Sequence, residues 1–161
     1  MFTLKRWIPP VLTRAWETDG PNLIRSIQDY LLSLEGKQAL VIHHGVYTPT
    51  ITGVTNSAAA TSAECQYSRV DDTVTVSGVI QHDPTAAAPT ATEFRVSLPI
   101  ASDFGTTAQC AGVGVRYIKA GPTFEPVAVE ADTTNNEASF NYSATNAANG
   151  NLSFTFTYKI I

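Results

Sequence analysis

The sequence predicts a mainly β chain: an antiparallel β-sandwich of jelly-roll type, preceded by an extended arm and one short α-helix. Three observations lead there. Several segments between residues 45 and 161 alternate apolar and polar residues with a period of two, the signature of a strand with one buried face. Those segments are separated by turn-forming pairs such as Asp71-Asp72, Asp83-Pro84, Gly121-Pro122, Asn135-Asn136 and Asn149-Gly150. Charged residues make up only 15% of the 161 residues, against roughly 25% in a typical soluble domain. The surface must then be covered by Thr, Ser, Asn and Ala, which suits strands and turns better than solvated helices.

Residues 1–20 read as an arm. They contain Trp7, Pro9, Pro10 and Trp16 with no sustained period. Pro-Pro favours an extended path. Two tryptophans in a segment without its own core must be buried against something else, so Trp7, Pro9, Pro10 and Trp16 are the candidate docking residues. Lys5 and Arg6 precede an apolar stretch that Pro9 and Pro10 cut short, which does not fit a secretory signal.

Residues 21–36 read as a helix. Pro21 suits the first turn and Gly36 a left-handed C-cap. Ile24, Ile27, Leu31 and Leu34 follow one another at spacings of 3, 4 and 3, a two-heptad seam. A helix this short is marginal alone. The seam is therefore expected to hold a small bundle, and Ile24 and Ile27 in the first heptad favour a trimer. Packing of the same stripe on the chain's own domain is the plainer alternative.

Residues 37–44 read as a linker and residues 45–161 as the β domain. The clearest strand is the last, where Leu152, Phe154, Phe156, Tyr158 and Ile160 share one face. Phe94, Val96, Leu98 and Ile100 alternate in the same way, as do Val74, Val76 and Ile80, and Phe140 and Tyr142. Further strands are expected at 47–54, 64–70, 112–119 and 124–131. About eight short strands at this spacing imply a sandwich. The segments 57–63 and 86–91, rich in small residues, read as surface loops or a contact face.

The chemistry is sparse. No nucleophile elbow, metalloprotease histidine pair, P-loop or dinucleotide fingerprint occurs. No catalytic residue, cofactor site or metal site is expected. Asp71 and Asp72 are adjacent and read as a hairpin turn rather than an acid/base pair. His82, before Asp83-Pro84, reads as a solvated turn residue, because no spacing supports a Ser/His/Asp site around it. In a trimer, three copies of either His43 or His44 could surround the axis and hold a metal or anion; ordinary linker polarity, with one ring stacked on a neighbour, is the favoured reading. Cys65 and Cys110 lie in strand-like segments and are expected to be buried, reduced thiols.

The net charge is −4, carried by the second part: residues 1–40 balance at +1 and residues 41–161 at −5. Nucleic acid is a poor partner for such a chain. No apolar run is long enough to span a bilayer, so no membrane partner is expected.

One series of short motifs is more specific. Gly45-Val-Tyr-Thr-Pro-Thr opens the β domain, followed by Cys65-Gln-Tyr-Ser-Arg-Val, Thr73-Val-Thr-Val-Ser-Gly78 and Asp83-Pro-Thr. Leu98-Pro-Ile-Ala-Ser102 with Phe104, Cys110-Ala-Gly and Phe154-Thr-Phe-Thr-Tyr-Lys-Ile160 complete it. The series resembles a β domain common at the C-terminal ends of tailed-bacteriophage virion proteins, among them tail fibres, head fibres and decoration proteins. The resemblance covers residues 45–161 and leaves out the arm and helix. It implies a homotrimer with its N-terminal end on the capsid or tail, the β domain outward, and no enzymatic activity. The expected function is that of a short fibre or decoration protein in the virion, assembled in the bacterial cytoplasm. The competing reading is a host-recognition tip that binds surface glycan. Sugar binding needs exposed aromatics beside carboxamides and carboxylates, and Tyr117, Phe124 and Tyr142 fit strands instead.

Overall fold

The computed structural model describes residues 27, 41–86, 89–118 and 123–161. Val41–Ile161 form one compact unit. Within it, ten strands follow the alternation of the sequence. They are β1 (Ile42–Tyr47), β2 (Ile51–Thr55), β3 (Ser57–Thr61), β4 (Cys65–Val70), β5 (Thr73–Pro84), β6 (Thr90–Val96), β7 (Cys110–Ile118), β8 (Thr123–Asp132), β9 (Glu137–Ala144) and β10 (Gly150–Lys159).

All the pairings are antiparallel, in the order β1-β4-β5-β10-β7-β8-β9-β6-β2. β3 follows β2 after Asn56 alone and pairs back onto the far end of β5, Ala60 opposite His82 and Thr61 opposite Gln81. The corner is turned at Asn56, whose φ of 51° lies in the left-handed region that Asn tolerates better than most residues. The sheet thus curls until its β2–β3 end meets β5. The chain is mainly β and antiparallel, as alternation predicted. The expected jelly-roll sandwich of two facing sheets is instead one curled sheet, because alternation specifies which face is buried and not which strand pairs with which.

The inner face is the core. Val74, Val76 and Ile80 of β5, Phe94 and Val96 of β6, Phe140 of β9, and Leu152, Phe154, Phe156 and Tyr158 of β10 are buried. Phe94 stacks on Phe140 at 5.0 Å, and Phe140 meets Phe154 edge-on at 5.0 Å. On β7 the positions facing the β10 rings are glycines. A Cβ on Gly112 would overlap Phe156 Cβ and the Thr155 carbonyl, so only glycine permits this approach. Cys65 and Cys110 are buried and free, in agreement with the expectation.

Several details depart from the sequence reading. β1 begins at Ile42, so His43 and His44 belong to a strand. The segment 57–61, read as a loop, is strand β3; its alanines carry little strand propensity, and the long β5 supplies the pairing. β6 stops at Val96 rather than reaching Ile100: Pro99 has no N–H to give a ladder, and Ser97 N donates instead to Thr50 O at 3.0 Å. The following segment lies over one end of the core. There Tyr158 Oη donates to Ile100 O at 2.6 Å, and Phe104 packs edge-on to Tyr158. The Asp71-Asp72 hairpin and the Asn135-Asn136 turn form as expected, with Asp71 and Asn136 at positive φ.

Candidate interaction surface

Of the residues expected to dock or to trimerise, Trp7, Pro9, Pro10, Trp16, Ile24, Leu31 and Leu34 lie outside the described residues. Ile27 is helical and 47% exposed. His43 packs against Tyr67, with ring centroids 5.6 Å apart and Tyr67 Oη 3.2 Å from His43 Nδ1. The ring does meet a neighbour, but the planes are tilted by 38° rather than stacked.

The main chemistry of the β domain is a polar cluster buried at the opposite end from Tyr158. Arg116 of β7 and Glu125 of β8 sit opposite each other in register, on the inner face. Arg116 Nη1 donates to Glu125 Oε2 at 2.5 Å. Its other N–H groups reach His82 O, Asn146 O and Ala148 O. Glu125 Oε1 accepts from the Thr145 amide at 2.7 Å and from Thr145 Oγ1 at 2.8 Å. Burial raises the Glu125 carboxyl, but the bonds from Thr145 and Arg116 outweigh it and hold the group below its ordinary range. The pair thereby fixes the β9–β10 loop to the end of the sheet.

His82 belongs to the same cluster. The expectation of a solvated turn residue is corrected: the ring is fully buried on β5. It continues the inward phase of Val74, Val76 and Ile80, and stacks on Phe94 at 4.4 Å. His82 Nδ1 lies 2.7 Å from Tyr142 Oη, and Nε2 lies 2.9 Å from Ser57 Oγ. Burial, and then the Arg116 charge, pull its pKa down to about 4, against a smaller opposing effect of Asp83. A serine beside a histidine suggests nucleophilic catalysis, but that chemistry needs a base poised near neutrality and oriented by a third group. Here the third group is a tyrosine hydroxyl, itself pushed up by burial, and the imidazole stays neutral. The arrangement satisfies the buried His82 and Tyr142 and the half-buried Ser57, and ties the Asn56 corner to β5.

The outer face carries the exposed groups. Val79 of β5, Val113 and Val115 of β7 and Phe124 of β8 are exposed, Val113 to 66% and Phe124 to 68%. Next to this apolar patch runs a mixed row, fixed by register: Gln81 opposite Asn151, Asn151 opposite Tyr117, and Tyr117 opposite Phe124. Tyr117 and Phe124 stack at 5.0 Å with planes 29° apart. Gln81 and Asn151 line a depression of about 240 Å³ with Thr61 and Ser62 at its rim. Tyr117 and Phe124 do fit strands, as the sequence indicated, yet they face outward; the sequence signal was their phase, opposite to Ile118 and Val127. Arg116 and Glu125 carried a signal too, being charged residues in phase with buried ones.

No protein-family model matches the chain, and no curated protein matches it significantly. Among solved structures, the chain is similar to the reovirus attachment protein sigma1, determined in complex with alpha-2,3-sialyllactose. The TM-score is 0.50 at 13% identity, over 74% of this chain and 66% of that one. At this identity the two share a β-rich fold.

Proposed function

We propose that this chain is a structural virion protein of the attachment type: a homotrimeric short fibre or decoration protein of a tailed bacteriophage. Residues 1–20 anchor it to the capsid or tail, the 21–36 helix trimerises it, and the β domain faces outward. The observation that carries this reading is the curled antiparallel domain, whose fold is like that of a viral attachment protein. Two features support it. Ile27, a seam position, is helical and exposed in the single chain, as a residue awaiting a partner helix would be. The buried His82, Arg116 and Glu125 are occupied with holding strands and loops, which fits a structural role.

The polarity follows from burial. Each tryptophan ring offers roughly 150–250 Å² for an interface. Pro9 and Pro10 deny the arm a helix or a central strand in which to shelter them. The test is deletion of residues 1–20. The truncated protein is expected to remain a soluble, cooperatively melting trimer that no longer joins particles, and Trp7→Ala to weaken joining by more than about 1 kcal/mol. Wild-type occupancy of particles by the truncated protein would overturn the polarity.

A further inference from the structure

The row Gln81, Asn151, Tyr117 and Phe124 has the composition of a sugar site. A pyranose offers an apolar C–H face and a rim of hydroxyls, each both donor and acceptor. It is recognised by an exposed aromatic face beside carboxamides, which also donate and accept. Phe124 presents such a face: it is 68% exposed and is held against Tyr117 rather than collapsed on the sheet. The carboxamides stand in the same row and line the depression that β5 and Asn151 of β10 form with residues 61–63. Asn149 Nδ2 donates to Gln81 Oε1 at 3.5 Å, which leaves Gln81 Nε2 as a donor.

The row is also rigid. The residues preceding Tyr117 and following Phe124 in sequence are Arg116 and Glu125, whose buried ion pair locks the β7–β8 register directly beneath the two rings. Preorganised aromatics lose little entropy on binding. Four strands at a spacing of about 4.8 Å give a row about 14 Å long, enough for a short oligosaccharide.

Charge selects the sugar. Among the described residues, the outer face carries no lysine or arginine in this row, and Arg116 is engaged beneath it. Asp83 lies two positions beyond Gln81 on the same face of β5, and the chain carries −4. An anionic sugar would meet the Asp83 carboxylate, with no lysine or arginine among the described residues of the row to pair with. We propose that this row is a binding subsite for neutral oligosaccharide, with Phe124 as the stacking platform and Gln81 and Asn151 as the hydroxyl-binding groups. The proposal rests on reading the β domain as the outward-facing module, but its test uses the isolated full chain and needs no particle.

The experiment is an array of neutral hexose and N-acetylhexosamine oligosaccharides with their sialylated counterparts, followed by titration calorimetry with the best neutral one. Neutral binding is expected. Phe124→Ala and Asn151→Ala are expected to weaken it at least about ten-fold, which corresponds to 1.4 kcal/mol. Phe124→Tyr keeps the ring and should retain binding, and Val113→Ser, outside the row, should leave it unchanged. Light scattering on each variant should show the parent's oligomeric state. Absence of neutral binding at millimolar sugar, or binding of sialylated glycans only, overturns the proposal. So does a change of oligomeric state in Phe124→Ala, which would make the face a contact between subunits.

Discussion

Acid should loosen this protein before its carboxylates begin to protonate, and the cause is one histidine. His82 is fully buried, bonded to Tyr142 and Ser57, with the Arg116 guanidinium and the Asp83 carboxylate as its charged neighbours. Its pKa is about 4 in the folded chain, against an ordinary 6.5. The unfolded chain therefore binds a proton between these values that the folded chain refuses. Stability rises with pH wherever the unfolded state holds more protons, so it must fall as pH drops from 6.5 towards 4. Integrating between pH 7 and pH 5 gives a loss of about 2 kcal/mol from this group alone. The carboxylates act lower. Asp132 is raised by burial, but bonds from Asn135, Arg95 and Thr134 bring it to about 2, and Glu125 is also depressed. Their contribution is present above the ordinary carboxylate range and lost as pH falls through it. The pH 7 to 5 window therefore belongs to His82. Urea unfolding at both pH values, for the parent and for His82→Gln, is the assay. The parent should lose about 2 kcal/mol and the variant, whatever its stability at pH 7, should lose far less. Equal losses in the two proteins, or a loss below about 0.5 kcal/mol in the parent, would refute the reasoning.

Three more outcomes are expected. Cys65 and Cys110 are buried, and burial pushes Cys110 to about 12 and raises Cys65. Iodoacetamide at pH 8 should modify neither in the folded protein and both after unfolding without reductant; a mass matching a disulfide would contradict this. Gly112→Ala, which forces a Cβ into the Thr155 carbonyl and Phe156, should lower stability by about 1–3 kcal/mol in a urea melt, whereas the exposed Val113→Ala should change it by less than about 0.5 kcal/mol. Ile27→Asp with Leu31→Asp places charges in the helix seam, and light scattering should then report a monomer where the parent is a trimer.

What the sequence made legible is the phase of each strand. Leu152, Phe154, Phe156 and Tyr158 are all buried, and Ser153, Thr155, Thr157 and Lys159 all face away from the core. Hydrophobic burial decides that phase locally, so a short stretch of sequence suffices. Pairing is decided by contacts distant along the chain. The meeting of β3 with β5, across the intervening β4, left no trace in an alanine-rich stretch that resembled a loop. The type of His82 suggests solvent, whereas its phase on β5 points inward. Tyr117 and Phe124 are strand residues, but a strand has two faces and theirs is the wet one. The Arg116–Glu125 pair sits in the inward phase of two neighbouring strands. It became recognisable as a pair only once register placed the two opposite each other.

The central claim, that the chain is an outward-facing virion protein, is tested most directly by a map of the particle that carries it, obtained by electron cryomicroscopy. The expected map shows three copies around a common axis. Their 41–161 domains project into solvent, and residues 1–20 are seated on a capsid or tail protein with Trp7 and Trp16 buried in the contact. A map with the β domain seated on the particle and the arm outward would contradict the claim, as would purified particles from which the chain is absent.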